Sequence, residues 1–291
     1  MINDQLKTKI VEKMAETRMN YTSNAKHARV LGINQAQYSR ISKGEFEGIL
    51  SEAKWISLAR LLNVQLSESK KWVTVKTETF SYIYNQLQAC QHRSISAILC
   101  DIAGIGKTHT AKYYSQENRN AVYIDCSQVK SKQKLIRKIA REFGVIYTGR
   151  YADVYEDLVF YLKQLPEPLI ILDEAGDLDY PAFLELKALW NATEYDCGWY
   201  MMGADGLKEK MNRQKNLKKV GYTEIFDRYG NDFKQISPEG KESLKEFLIS
   251  QIAQVGKANK SEISALKMFS KTKGSLRKVR TEIEKQRLNN E

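Results

Sequence analysis

The chain is poor in the residues that build covalent or metal-bound frameworks. It contains four cysteines and four prolines in 291 residues. The cysteines show no paired spacing, since they stand at Cys90, Cys100, Cys126 and Cys197. This scatter excludes a disulfide scaffold and a CxxC-type metal or redox centre, and it predicts reduced, buried thiols in a cytoplasmic protein.

Long apolar runs are also missing. No stretch approaches the roughly 18 consecutive apolar residues that a membrane-spanning helix requires. The first residues, MINDQLK, lack the charged-then-apolar order of a secretory signal. We therefore expect a cytoplasmic protein with no membrane partner, built as one large domain or two to three smaller ones.

Acidic residues are too few to balance the basic ones towards both ends of the chain. The net charge is +11. Residues 1–75 carry 12 Lys and Arg against 7 Asp and Glu, residues 207–291 carry 20 against 11, and residues 76–206 carry 14 against 17. A nearly neutral centre between basic ends favours a catalytic core whose flanks meet a polyanion such as nucleic acid. Well-solvated, lysine-rich helices would give the same composition.

The spacing of apolar residues divides the chain into three parts. Residues 1–70 have the pattern of short helices, followed by a link at about residues 70–77. Residues 71–236 contain four apolar strands (95–100, 121–125, 169–173 and 199–202) that alternate with helical stretches, which indicates a parallel sheet with both faces covered. Residues 237–291 are helical only, and a helix start is expected at Ser237, before Pro238 and Glu239. Leu244, Phe247, Leu248 and Ile252 follow at helical spacing and would form the apolar face of that helix.

The N-terminal part has the spacing of a helix-turn-helix. Ser23 can cap a first helix, Gly32 allows the turn after it, and a second helix is expected from about Asn34. The second helix would bury Tyr38 and Ile41 and offer Gln35, Gln37, Ser39 and Arg40 to a DNA groove. Amides and a guanidinium suit base edges and phosphates. Binding by one such unit would be weak and mostly phosphate-driven, and a small helical bundle for protein contacts remains the alternative.

A nucleotide-binding loop is predicted by the sequence DIAGIGKT (residues 101–108), which follows an apolar strand and precedes a helical stretch. It matches the pattern G-x-x-x-x-G-K-[ST] except that Asp101 stands at the first glycine. Lys107 can reach the β- and γ-phosphates of ATP, and Thr108 can hold Mg²⁺. The predicted cofactor-binding residues are Gly104, Ile105, Gly106, Lys107, Thr108 and His109. We expect the Asp101 carboxylate to turn away from the phosphates, which would repel it.

The second half of the site is predicted where LIILDE (residues 169–174) ends an apolar strand with two carboxylates. Asp173 would hold Mg²⁺ together with Thr108, and Glu174 would act as the general base that activates water. An acidic turn after a core strand is common by itself. Its occurrence after the 101–108 motif, in the correct order, indicates an ATP-hydrolysing site with Lys107 and Glu174 among its catalytic residues.

Four later motifs, WYMMGADGLK (199–208), IFDRYG (225–230), FKQISPEG (233–240) and GSLRKV (274–279), follow in an order that resembles the AAA+ ATPases, in particular their initiator and transposition-regulator branches. The resemblance implies that Arg228 is an arginine finger for a neighbouring subunit and that Arg277 is a sensor-2 arginine on a helical lid. Both would place positive charge where the transition state gathers negative charge. A surface role for Arg228 and a DNA contact for Arg277 remain open. At the sensor-1 position Asp205 is the nearest polar side chain, and no residue is assigned.

The order of parts is similar to the family of transposition target-DNA regulators of the phage Mu transposition protein B type. The resemblance implies an α/β fold: an AAA+ P-loop parallel-sheet core (71–236) with a small C-terminal helical lid (237–291), preceded by an all-α helix-turn-helix domain (1–70). It also implies an ATPase that uses ATP and Mg²⁺, forms homo-oligomeric helical filaments on double-stranded DNA with little sequence preference, and delivers target DNA to a DDE transposase, which it activates.

DNA along such a filament would meet basic residues after the second strand. The predicted contacts are Lys130, Lys132 and Lys134, with Arg150 behind them, although their spacing also suits a solvated helix.

Two other functions stay open. Replication initiators and helicase loaders usually carry the sequence-reading domain at the C-terminal end, and transcription regulators with an ATPase switch usually append a ligand-sensing repeat region.

Overall fold

The chain folds around one parallel sheet, with helices before, on both faces of, and after it; the computed structural model describes residues 2–64 and 72–289. The strands are β1 (Ser96–Cys100), β2 (Ala121–Asp125), β3 (Leu169–Asp173), β4 (Gly198–Gly203) and β5 (Phe233–Lys234). The helices are α1 (Asp4–Thr17), α2 (Asn24–Leu31), α3 (Gln35–Ser42), α4 (Glu52–Leu61), α5 (Glu78–Arg93), α6 (Lys107–Glu117), α7 (Lys132–Glu142), α8 (Tyr151–Gln164), α9 (Tyr180–Ala192), α10 (Asp205–Asn216), α11 (Tyr222–Arg228), α12 (Lys241–Ala258), α13 (Ala265–Thr272) and α14 (Leu276–Asn289). The boundary predicted at residues 70 and 71 lies outside the described residues.

The sheet has the strand order β2-β3-β4-β1-β5, and each neighbouring pair is parallel. Successive residues of a strand face opposite sides of a sheet. Ile98 and Trp199 accordingly pack against α7 to α11, whereas Leu99 and Tyr200 pack against α5 and α6. The α/β class and the four predicted strands are confirmed. The apolar pattern does not indicate β5, because two residues are too few to show a period.

Helices α1 to α4 pack around an apolar core of their own, which includes Ile10, Met14, Trp55 and Leu58. The two helices predicted on either side of a turn are present as α2 and α3. Ser23 caps α2 by accepting a hydrogen bond from the N–H of Lys26 (3.2 Å), and Asn34 caps α3 by accepting one from the N–H of Gln37 (2.8 Å). Gly32 ends α2 with a φ of 67°, a left-handed conformation that favours glycine.

A buried histidine joins the first three helices. His27 is fully buried, its Nδ1 lies 3.0 Å from the hydroxyl of Tyr38, and its Nε2 lies 3.3 Å from the hydroxyl of Thr17. The ring also stacks on Tyr21. Burial lowers the pKa of His27 to about 4, because an imidazolium would lose its hydration. The neutral ring therefore has a structural role, because it connects α1, α2 and α3. Tyr38 is buried, as its spacing predicts.

Helix α2 contacts the sheet-containing part of the chain. The guanidinium of Arg29 donates to the carbonyl oxygen of Gly144 (3.0 Å), and the ammonium of Lys26 lies 3.2 Å from the ring centroid of Tyr161. These contacts join the N-terminal helices to the part of the chain that contains the sheet.

Helices α12 to α14 form the C-terminal part, and Phe247, Leu248 and Ile252 are buried there as their spacing predicts. The helix start predicted at Ser237 is wrong, because α12 begins at Lys241 after Gly240. The N–H and hydroxyl of Ser237 donate to the carboxylate of Asp101 instead. These hydrogen bonds hold Ser237 beside the end of β1, so that the helix can begin only after the next turn of the chain.

Residues 72–77, which belong to the predicted link, have no regular structure but are bound to the C-terminal helices. The side-chain amide of Asn259 accepts from the N–H of Val73 (2.9 Å) and donates to the carbonyl oxygen of the same residue (3.1 Å). The guanidinium of Arg280 lies 5.1 Å from the ring centroid of Trp72. The connection from the N-terminal helices therefore crosses the C-terminal helices before it enters α5.

The four cysteines are free and buried, as the sequence predicts. Burial raises the pKa of Cys90 and of Cys100 to about 12, so these thiols are protonated and poorly nucleophilic at neutral pH. None of the helices in residues 2–64 and 72–289 has the length and hydropathy needed to cross a lipid bilayer.

Candidate nucleotide site

The 101–108 loop connects the carboxyl end of β1 to the amino end of α6. Gly104 and Gly106 have φ values of 85° and 108°, which side-chain-bearing residues rarely adopt. Gly106 directly precedes α6, an eleven-residue helix whose first N–H groups and dipole attract anions. The loop therefore has the backbone that a cradle for phosphate groups requires.

Lys107 is the first residue of α6 and is 7% exposed. Its ammonium donates to the carbonyl oxygens of Asp101 (2.6 Å) and Ile102 (2.7 Å). Burial lowers the pKa of Lys107, and the negative charges of Asp101 and Asp173 oppose that effect. The side chain is thus held over the loop, where an arriving phosphate could replace the two carbonyl partners.

Asp173 ends β3, which is separated from β1 by β4 alone, so its carboxylate lies beside the 101–108 loop. The hydroxyls of Thr108 and Tyr123 both donate to its Oδ2 at 2.7 Å, and the N–H of Glu174 donates to its Oδ1 at 2.9 Å. Asp173 is 2% exposed. Three donors therefore orient this carboxylate and stabilise its negative charge.

The Thr108 hydroxyl and the Asp173 carboxylate fit a magnesium ion shared with a nucleotide. Both are hard oxygen donors, and Mg²⁺ in nucleotide sites usually takes one or two carboxylates and completes its shell with phosphate oxygens and water. The two oxygens lie 2.7 Å apart, close enough to be neighbours around one ion. The sequence-predicted pair is thus brought together.

Glu174 follows Asp173 with a backbone φ of 51° and an exposed side chain. Its φ lies in the left-handed region, which costs a non-glycine residue about 1–3 kcal/mol and is found often at functional sites. Although the side chain is exposed, the surrounding protein partly desolvates the Glu174 carboxyl and raises its pKa; the neighbouring Asp173 charge raises this pKa further, and the positive charge of Lys107 opposes both effects. A carboxylate of raised basicity beside the loop suits a general base.

The C-terminal helices touch the loop directly. The N–H of Leu276 donates to the carbonyl oxygen of Gly104 (2.8 Å), and a Cβ at Gly104 would lie 2.7 Å from the hydroxyl oxygen of Ser275. Ile105 is 1% exposed and packs with Phe247 and Leu248 of α12. Glycine at position 104 is therefore required by the close approach of α14 as well as by its φ.

Arg277 stands in the first turn of α14, next to Leu276, and its side chain is exposed. This position brings it to the same side of the molecule as the 101–108 loop. Its predicted role as a contact to bound ATP stays a prediction.

His109 lies between residues 72–77 and α14. Its Nε2 is 3.1 Å from the hydroxyl of Thr74, and burial, followed by the positive charge of Arg280, lowers its pKa. Its predicted contact with the cofactor stays a prediction. In the structure its ring is directed to the segment that enters from the N-terminal helices.

Arg228 ends α11 and lies away from the 101–108 loop of its own chain. Its Nε donates to Asn191 (2.7 Å), and its guanidinium lies 5.3 Å from the ring of Trp190. Trp190 donates to Ser96 at the amino end of β1 (2.8 Å). The loop leaves the other end of this five-residue strand, about 13 Å further on. The structure therefore separates Arg228 from the 101–108 loop of its own chain, and its role as a finger for a neighbouring subunit stays a prediction.

Asp205 begins α10, two residues after β4 ends beside β1. Its charge raises the pKa of Lys107, as do the charges of the other nearby carboxylates. No residue is assigned to the sensor-1 position on this basis.

The polar residues of α3 differ in how far they are free to meet DNA. Gln35, Ser39 and Arg40 are exposed, and Arg40 forms a solvent-exposed ion pair with Glu45 (2.8 Å). Such pairs contribute little, so Arg40 can exchange its partner. Gln37 is already engaged, because its side chain accepts from the N–H of Asn34 and donates to the carbonyl oxygen of Ile49.

The basic residues after β2 lie together near the amino end of α7. Lys130 forms a 3.5 Å ion pair with Asp177, and Lys132 forms a 3.7 Å pair with Glu185. Lys134 is exposed in the first turn of α7, and Arg150 is exposed directly before α8. Lysines at a helix amino end oppose the helix dipole, by roughly 0.3–1 kcal/mol each. A bound anion would relieve this repulsion.

Tyr123 is a site residue that sequence reasoning missed. It lies in the middle of β2 and is joined to Asp173 through its hydroxyl. Burial and then the charge of Asp173 raise the pKa of Tyr123, so the phenol stays a donor. The available signal was a hydroxyl-bearing residue in an otherwise apolar strand, which is too common to assign without the sheet register.

Two comparisons with known proteins agree with this architecture. Residues 91–211 match the model of an AAA domain family. Over 194 residues the chain is 24% identical to DNA transposition protein B of the Mu-like prophage FluMu of Haemophilus influenzae. The aligned region covers 65% of this chain and 67% of that protein. Together with the strand order and the loop between β1 and α6, these two matches show that the chain is similar to AAA+ ATPases of the Mu-like transposition protein B type.

Proposed function

We propose that this AAA+ protein is an ATP-dependent DNA-binding ATPase of DNA transposition. It assembles as a filament on double-stranded DNA with little sequence preference, delivers that DNA as target to a DDE transposase and activates the transposase. Residues 1–70 form its helix-turn-helix domain, residues 71–236 its ATPase core and residues 237–291 its lid. The similarity to a transposition protein B and the net charge of +11 support this proposal.

In the proposed reaction Lys107 and the backbone of the 101–108 loop hold the phosphates. Glu174 accepts a proton from the attacking water, and its raised pKa favours that transfer. Asp173, oriented by Tyr123, and Thr108 would hold Mg²⁺, which would neutralise negative charge on the phosphates. Arg277, in the first turn of α14, would contact the same phosphates.

The placement of Arg228 is the single observation that carries the filament proposal. Its guanidinium is held by Asn191 and Trp190 near the amino end of β1, whereas its own 101–108 loop leaves the carboxyl end. Stabilisation of phosphoryl transfer by an arginine requires direct contact with the transferred group. Arg228 can therefore complete only the site of another copy, so that bound ATP joins adjacent copies and hydrolysis separates them.

DNA would follow the basic surface formed by Lys130, Lys132, Lys134 and Arg150. The solvent-exposed ion pair of Lys130 with Asp177 is weak and can be exchanged for phosphate oxygens. Lys132, 3.7 Å from a half-buried Glu185, keeps enough exposure to turn to a phosphate as well. The exposed residues of α3 would add further contacts. Contacts to phosphates carry no base information, which accounts for binding without sequence preference.

Nucleotide-dependent coating of DNA tests the proposed function. With ATP and Mg²⁺, the protein is expected to form continuous filaments on a random-sequence duplex, seen by negative-stain electron microscopy. Without nucleotide the filaments are expected to be absent, because the contact between copies lacks its phosphate. Equal coating with and without ATP, or a monomeric protein in both conditions, would contradict the proposal.

Arg228→Ala is expected to bind ATP normally but to hydrolyse it on the order of 10³-fold more slowly, because an arginine finger contributes about that factor. Mixing this variant with Lys107→Ala should restore part of the ATPase activity, since an intact loop in one copy can meet an intact Arg228 in the next. Steady-state phosphate release measures both effects. Arg213→Ala, which removes an exposed charge from α10, is the matched control. Failure to restore activity at any mixing ratio would argue against a contact between copies.

A further inference from the structure

Asp101 occupies the position at which the loop pattern has glycine, yet it is 1% exposed. A carboxylate is costly to bury unless hydrogen bonds compensate for its lost hydration. Its partners therefore indicate what holds it there.

Both carboxylate oxygens of Asp101 are occupied. Oδ2 accepts from the N–H groups of Ile236 (2.7 Å) and Ser237 (2.9 Å). Oδ1 accepts from the N–H of Ile102 (2.7 Å) and from the hydroxyl of Ser237. The expectation that this side chain turns away from the phosphates agrees with this geometry, since the carboxylate is directed to residues 236–237.

The register of the sheet explains why a side chain is needed at this point. Strand β5 pairs with β1 at two positions only, Ile98 with Phe233 and Leu99 with Lys234. Continuing that register would place Ile236 opposite Asp101. The backbone ladder has ended by then, and the Asp101 carboxylate supplies the acceptors for the N–H groups of Ile236 and Ser237. Charge-assisted bonds of this kind are roughly twice as strong as neutral ones.

Residues 236–237 lie in the connection between β5, which ends at Lys234, and α12, which begins at Lys241. Helices α12 to α14 then return to the loop, where Leu276 donates to Gly104 and where Phe247 and Leu248 cover Ile105. The first residue of the loop, Asp101, is thus bound to the segment that leads into α12, and its centre, at Gly104 and Ile105, contacts the C-terminal helices themselves.

We propose that Asp101 is a positioning residue that fixes the hinge of the C-terminal helices against the nucleotide loop and so sets the position of Arg277. The proposal rests on the proposed ATP hydrolysis at this loop. It explains why this position is not glycine: the Asp101 carboxylate forms hydrogen bonds that connect the end of β1 to the segment before the lid, and glycine has no side chain to form them.

Two readouts separate positioning from nucleotide binding. Asp101→Gly restores the glycine of the loop pattern, so its affinity for a fluorescent ATP analogue is expected to stay within about threefold of that of the wild type. Its kcat is expected to fall on the order of 10- to 100-fold, because an ångström-scale misplacement of a catalytic group has effects of that size. A merely destabilised protein would show a lower melting temperature with an unchanged kcat.

The position of the lid is measured directly by pulsed electron paramagnetic resonance between spin labels at Phe160→Cys in α8 and Leu266→Cys in α13. These two side chains are 70% and 65% exposed, whereas the native cysteines are buried, so the labels attach selectively. In the labelled protein that keeps Asp101, we expect one narrow distribution of distances between the two labels. In Asp101→Gly we expect a broadened or shifted distribution, with and without nucleotide.

Asp101→Asn is a second variant with a side chain of the same shape. Each carboxylate oxygen of Asp101 accepts from two donors, so the NH₂ group of asparagine would face two donors and lose both hydrogen bonds. It should give the same result, and it carries the test if Asp101→Gly does not fold. Ser237→Ala removes the hydroxyl donor alone and should have a smaller effect, and Asp179→Asn at the start of α9 should have none.

An unchanged distance distribution in a folded Asp101 variant would overturn the proposal, as would a displaced lid with a normal kcat. A wild-type protein that does not hydrolyse ATP would instead count against the proposed function. The distance measurement needs no hydrolysis, so the two failures are distinguishable.

Discussion

Lys107→Ala is expected to weaken ATP binding by on the order of 100-fold or more and to abolish the ATP-dependent DNA filaments. Loss of one partner from a buried, hydrogen-bonded charge pair costs about 2–5 kcal/mol, and 1.4 kcal/mol corresponds to a factor of ten. Lys107 lies over the loop and is only 7% exposed. In the alanine variant, water therefore has little access to the bound phosphate and cannot compensate for the lost positive charge. Titration with a fluorescent ATP analogue and electron microscopy on a random duplex measure the two effects.

This substitution also leaves the carbonyl oxygens of Asp101 and Ile102 without their ammonium donor. Lys107→Met, which keeps most of the side-chain volume, therefore accompanies it, together with a thermal melt of each variant. Lys163→Ala, which removes an exposed lysine from α8, is the control for net charge. Filaments of normal length and stability in both Lys107 variants would rule out the assigned role of the loop.

Glu174→Gln is expected to bind ATP with nearly normal affinity and to hydrolyse it roughly 10²- to 10⁴-fold more slowly, the range that general bases contribute. The amide keeps the size of the side chain but cannot accept the proton of the attacking water. Because ATP then persists between copies, the DNA complexes should be long-lived. Single-turnover hydrolysis and the rate of filament disassembly after dilution measure these outcomes.

The pH dependence of the rate distinguishes a base from an acidic residue of general electrostatic importance. Since the pKa of Glu174 is raised, the wild-type rate should fall as the pH drops through this raised pKa, because a protonated carboxyl cannot accept a proton. That limb should be missing in Glu174→Gln and retained in Asp177→Asn, whose carboxylate is in the same turn. Rapid turnover by Glu174→Gln would exclude Glu174 as the base.

Local patterns predicted the elements whose formation depends on short-range interactions. Ser23, Gly32 and Asn34 act at the ends of α2 and α3 within their own helical turns, and short apolar runs mark β1 to β4. The 101–108 motif was recognisable because glycine conformation and helix start are properties of consecutive residues. All these features use interactions between residues that are near neighbours in the chain.

Features that depend on distant residues were missed or misplaced. The helix start at Ser237 was wrong because Asp101 competes for the N–H and hydroxyl of that residue across 136 positions. Tyr123 joined the site only through the register that sets β2 beside β3.

The sequence by itself therefore determined the α/β class, the loop at residues 101–108 and the carboxylate pair at 173–174, because each is encoded by adjacent residues with strong conformational or chemical preferences. The tertiary structure alone decided that Arg228 lies away from its own loop and that the carboxylate of Asp101 is bound to residues 236–237. Strand order and register bring together or separate residues that are more than 100 positions apart, and no local pattern records that outcome.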